Sequence, residues 1–109
     1  MVLILITSYY PLSKAEEVAK IYLEVVRQTP LDRSLAKRLV PLGIRMTKEG
    51  IRVIAVYDVK PGKAEEALAD LTKRVLPFGE IEGYEIEIET LLSGTEALPL
   101  LGLKMPEGD

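Results

Sequence analysis

A chain of 109 residues, 48% of them hydrophobic, with 17 acids against 14 bases and a formal charge of −3, is one domain. It is long enough to bury roughly two thirds of its unfolded surface without covalent staples. It has no cysteine, histidine or tryptophan, which excludes disulfides, thiolate metal sites, cysteine nucleophiles and the commonest metal ligand, so neither a metal nor a cofactor is expected. Its bases are scattered, whereas a nucleic-acid partner would want a basic stripe.

Val2 to Tyr10 reads as a first strand, apolar on both faces at its start. Its run V-L-I-L-I lacks a positive flank and is too short to cross a bilayer, so no membrane partner is expected. The missing cysteine suits a reducing cytoplasm, and abundant Lys, Glu and Arg without Asn or Cys suit a heat-adapted source. Pro11 stops the strand. Ser13, with Glu16 three positions on, predicts a capping box, and Ala15, Val18, Ala19, Tyr22, Val25 and Val26 form the apolar stripe of a helix that ends before Pro30. A polar connection from Thr29 to Arg38 leads to a second strand, Leu39 to Thr47, which Pro41 places at a sheet edge.

The third strand, Ile51 to Val59, is the centre of the pattern. Ile51, Val53, Ala55, Tyr57 and Val59 make one fully apolar face, while Ile54 and Val56 make the middle of the other face apolar too. A two-residue loop at Glu49-Gly50 would set Ile44 opposite Ala55 and Met46 opposite Val53 and keep the faces unmixed. A second helix is predicted from Lys63 to Leu76, closed by Pro77, with Ala64, Ala67, Leu68, Leu71 and Val75 inward. Tyr84 to Leu92 is a fourth strand with Tyr84, Ile86 and Ile88 inward and Glu85, Glu87 and Glu89 outward.

The four residues Lys14-Ala15-Glu16-Glu17 recur 49 positions later as Lys63-Ala64-Glu65-Glu66. The same offset maps Ile4 on Val53 and Tyr22 on Leu71. Helix-opening chemistry explains the four identities, but it does not explain why strand and core positions share the offset. Two strand-helix-strand halves make βαββαβ, an α+β, ferredoxin-like four-stranded antiparallel sheet with both helices on one face.

With the helices on one side, Leu3, Leu5, Thr7, Tyr9, Ile54 and Val56 form an apolar patch on the other, and such a patch marks an interface or a ligand groove. Here the chain resembles the dimeric α+β barrel superfamily, whose ferredoxin-like protomers stack their open faces around a cavity. The likeness covers about residues 2 to 92 and rests on element order, the Val59-Lys60-Pro61-Gly62-Lys63 strand-to-helix entry and the two-sided apolar strands. The chain is also similar to small proteins of that type with the patterns Glu82-Gly83-Tyr84-Glu85 and Ala97-Leu98-Pro99-Leu100-Leu101-Gly102-Leu103. No activity comes with either likeness.

Residues 1–92 are therefore read as the domain and 93–109 as an apolar extension docked on its own chain or on a partner, with a lid over a cavity as the competing reading. The candidate ligand residues are Thr7, Tyr9, Arg45, Arg52, Asp58 and Glu87. Arg45 and Arg52 could fork a carboxylate, and Asp58 beside Tyr9 is the polar pair expected to face a cavity. In the acidic ladder, neighbouring charges could raise one glutamate toward a general base, although a charged edge strand needs no such role. Tyr10, Tyr22, Tyr57 and Tyr84 read as packing residues. The function expected is a homodimeric binding or structural module with a small apolar cavity. The alternative is a cofactor-independent isomerase, lyase or oxygenase acting on a ring-bearing or enolisable substrate.

Overall fold

The computed structural model describes residues 2–104 and 106. In chain order it contains β1 (Val2–Tyr10), α1 (Ala15–Gln28), β2 (Ala36–Thr47), β3 (Gly50–Val59), α2 (Ala64–Val75), β4 (Glu85–Leu92) and α3 (Gly94–Ala97), with short 3-10 turns at Leu12–Lys14, Leu76–Glu80 and Leu98–Leu101. The sheet order is β2-β3-β1-β4, antiparallel throughout, which puts β1 and β3 inside as their two apolar faces require. No helix of the described residues is long and apolar enough to cross a membrane.

Local chemistry departs from the sequence reading in three places. Ser13 caps nothing: a 3-10 turn precedes α1, whose N-cap is Lys14 without a side-chain bond. The β2–β3 turn has the expected even length but uses Lys48-Glu49, so Ile44 faces Val53 and Met46 faces Ile51. Gly50 is already in the ladder at φ +135°, where a Cβ would stand 2.5 Å from the Tyr10 carbonyl oxygen, and only glycine tolerates that approach. Third, Pro77 does not end the chain's second helical segment, because a 3-10 turn continues to Glu80 and buries Phe78.

β2 begins three residues earlier than its alternation suggests, and its pairing with β3 shifts between Arg38 and Val40 and again between Val40 and Gly43. Each shift inserts one extra residue on the β2 side, a bulge of the kind found on edge strands. Pro41, which has no N–H to give, lies in the second one.

Two separate clusters hold the helices. Ile4, Ile6, Ala55, Tyr57, Val59, Ala67 and Leu71 join the sheet to α2, whereas Val18, Val25, Phe78 and Ile81 join α1 to the segment after α2. Because α1 is fastened to Phe78 and Ile81, the two cores do not merge, and a hollow is left where they would have met.

Candidate ligand site

That hollow is a cavity of about 210 Å³ between the sheet and the helices. Its sheet wall is Ile6, Ser8, Val53, Ala55 and Tyr57, its helix wall Val18, Tyr22, Val25, Leu71 and Arg74, and one end is closed by Tyr10, Phe78 and Tyr84. Ala19 of α1 and Pro41, Leu42 and Ile44 of β2 are lining residues that are also solvent-exposed, and they form the mouth. The bulge puts Pro41 and Leu42 there, and Ile44 follows on the helix face opposite Val53.

The closed end is built from stacked rings. Tyr84 stacks on Phe78 at 5.2 Å and 16° and on Tyr10 at 5.8 Å and 8°, and its hydroxyl donates to Ser8 Oγ at 2.9 Å. Burial raises the Tyr84 hydroxyl above its ordinary pKa; the Ser8 bond opposes this and nearby Tyr10 adds to it. Burial raises Tyr10 as well. Both phenols are therefore protonated donors at neutral pH. A raised folded-state pKa means that the unfolded chain loses its proton first, so stability is full below about pH 10, the unfolded value, and falls as pH rises through the folded one. Chemical denaturation at pH 9 and pH 11 should show this loss, and it should be smaller in Tyr84→Phe, which also gives up about 1 kcal/mol at pH 7 with its hydrogen bond.

Two arginines interrupt the apolar wall. Arg74 lies in the inward stripe of α2, is 6% exposed, and donates from Nε to the Thr29 carbonyl at the end of α1 at 2.9 Å. Arg38 faces the cavity beside Tyr57 on the sheet wall, and its Nε is buried with no hydrogen-bond partner. Among the described residues no carboxylate lines the cavity, and no three-residue cluster could hold a metal.

The six candidate residues lie on the other side of the sheet. Thr7 and Tyr9 of β1, Arg45 of β2, Arg52 and Asp58 of β3 and Glu87 of β4 all belong to the open face, and none of them lines the cavity. Thr7 sits between Ile54 and Glu87, and Tyr9 between Arg52 and Glu85. The expected pairing of Tyr9 with Asp58 does not occur: antiparallel pairing carries the end of β3 to the start of β1, so Asp58 faces Leu3. Arg45 and Arg52 stand directly opposite each other, an unfavourable like-charge pair. Arg52 Nε and Asp58 Oδ1 are buried without partners.

The sequence reading centres on the open face and does not single out Arg38, Arg74 and Ser8, which line this helix-side cavity. One signal was present. Arg74 falls three residues after Leu71 and seven after Ala67, inside an otherwise apolar stripe.

Solved structures share this architecture. A provisionally named antibiotic biosynthesis monooxygenase from Deinococcus radiodurans superposes with TM-score 0.56 at 13% identity, covering 86% of this chain and 93% of that one. The fold is ferredoxin-like. A de novo designed protein matches this ferredoxin-like chain with TM-score 0.50 at 13% identity over 84% of it and 96% of the design. A tripeptidase from Staphylococcus aureus gives TM-score 0.51 at 11% identity over 94% of this chain, which spans only 35% of that enzyme. No family model matches the sequence, and no curated protein does. One backbone plan thus serves a design and two differently named proteins, and the fold alone assigns no chemistry.

Proposed function

We propose that the protein is a homodimeric α+β-barrel binding module that takes a small, largely apolar ligand into the cavity between its helices and its sheet. The observation that carries this reading is the cavity itself: concave, about 210 Å³, mostly aliphatic and aromatic, with a few fixed polar groups, as small-molecule sites are built.

The open face supports the dimer. Leu3, Leu5, Ile54, Val56 and Leu91 present apolar surface there, flanked by an Arg45-Arg52 corner toward β2 and the Glu85, Glu87 and Glu89 ladder on β4. A two-fold axis running along the strands would lay the glutamates of one copy over the arginines of the other, relieving the like-charge pair and the orphaned Arg52 Nε. The extension fits the same arrangement. Ser93 caps α3 by accepting from the Glu96 N–H, yet Leu100 and Leu101 are each 76% exposed. Apolar side chains left this open on their own chain are suited to docking on the partner.

A cofactor-independent isomerase, lyase or oxygenase is the second reading, favoured by the monooxygenase name of a structural neighbour. Binding is preferred because proton abstraction wants a base of suitable pKa within reach, and the cavity wall offers arginines and protonated phenols.

Native mass spectrometry of protein purified without denaturant tests both halves of the proposal, reporting subunit number and any retained molecule together. Titration with 2-naphthol should then show saturable binding of one molecule per chain, lost when Val53→Phe fills the sheet wall. Binding that survives Val53→Phe, or no binding in the parent chain, would reject the cavity as the site.

A further inference from the structure

Among the described residues the cavity's two cations form no ion pair. Arg74 is more than nine-tenths buried and is held through its Nε by one neutral carbonyl. Asp70, one turn earlier on the same helix, is not its partner: its Oδ2 is itself buried and unbonded, and Asp70 does not line the cavity. Arginine stays protonated at any ordinary pH, so the chain carries a desolvated positive charge in an apolar wall, a costly arrangement unless an anion joins it. Arg38 on the sheet wall is only half-buried, but its Nε is buried and unpartnered. Around them are the rings of Tyr22, Tyr57 and Tyr84 and aliphatic side chains, which suit a flat hydrocarbon body.

We propose that the ligand is a small aromatic or alicyclic carboxylic acid, bound as its anion, with the carboxylate met by Arg74, Arg38 acting as a second donor from the sheet, and the ring lodged against the tyrosines. This rests on the reading of the cavity as the ligand site and adds the chemical class. Arginine suits the role because its planar fork matches a carboxylate, and the Thr29 carbonyl fixes Nε so that the fork is pre-set. Neutral ligands of the same shape can fill the cavity but leave the charge unmet.

The test compares 2-naphthoate with 2-naphthamide, an isosteric neutral probe, by isothermal titration of the whole chain at pH 7. The carboxylate should bind at least tenfold tighter, and Arg74→Met should erase that preference while the amide binds as before. Arg38→Gln should reduce the preference by a smaller factor. Equal affinity of the two probes for the parent chain would overturn the proposal while leaving the cavity reading intact. Binding of neither probe would remove both. The parent comparison needs no variant, so a poorly folding Arg74→Met could not hide the answer. Where that variant folds, an unchanged preference would also overturn the assignment to Arg74.

Discussion

Ile54→Asp is expected to yield a folded chain that no longer self-associates. Ile54 lies at the centre of the open face, between Thr7 of β1 and Gly43 of β2, and faces away from both core clusters. The aspartate therefore remains hydrated in a single chain and keeps the helix-side packing. Stacking two such sheets would bury two unpaired carboxylates, one from each copy. Even at about 2 kcal/mol each, the figure for a neutral polar group, the cost is at least about 4 kcal/mol per dimer, on the order of a thousandfold or more in affinity. Light scattering across micromolar concentrations should report a dimer for the parent chain and a monomer for Ile54→Asp, with unchanged far-ultraviolet circular dichroism. A variant that stays dimeric would move the interface off this face, and a parent chain that is monomeric would remove the barrel.

The largest loss of stability should come from Leu71→Ala. Leu71 is 1% exposed, packs with Ile4, Ala55 and Tyr57, and also lines the cavity. Removing three carbons there costs about 2 to 5 kcal/mol, and the figure depends on how far the site can collapse. Collapse is hindered because α1 is anchored elsewhere, by Val18 and Val25 on Phe78 and Ile81, so the upper half of that range is expected. At about 4 to 8 °C per kcal/mol for a domain near this size, the midpoint of thermal unfolding should fall by roughly 15 °C or more. Leu23→Ala, on an exposed position of α1, should move it little.

The strand order was legible because alternation and the repeated halves constrain it independently. Both faces of Ile51 to Val59 are apolar, so that strand had to be interior, and Pro41 had to lie at an edge. The hairpin parity was legible for the same reason, since an odd loop would have mixed the faces. Its register was not: loops at Lys48-Glu49 and Glu49-Gly50 conserve parity equally, and the choice falls to a backbone approach between Gly50 and Tyr10 that no periodicity records. The cavity was illegible for a deeper reason. Hydrophobic pattern says which way a side chain points but not whether the layers it points between come together, and here Phe78, just past the Pro77 expected to close the second helix, holds α1 on its own anchorage. Four tyrosines were assigned to packing on their parity. The parity was right, and the packing around them is incomplete. Arg74 could have been singled out as a charge inside an apolar stripe; Arg38, in what the alternation left as a polar connection, could not.

The distribution of those phenols makes the molecule its own optical instrument. With no tryptophan in the chain, near-ultraviolet absorption and emission come chiefly from five tyrosines. Four of them line the hollow, while Tyr9 lies on the reverse of the sheet. A Tyr9→Phe chain would carry fluorophores only around the hollow, so occupancy could be followed without a dye, and the difference from the parent would isolate one ring that watches the opposite surface. Filling from within and covering from without would then be read as separate signals in one cuvette.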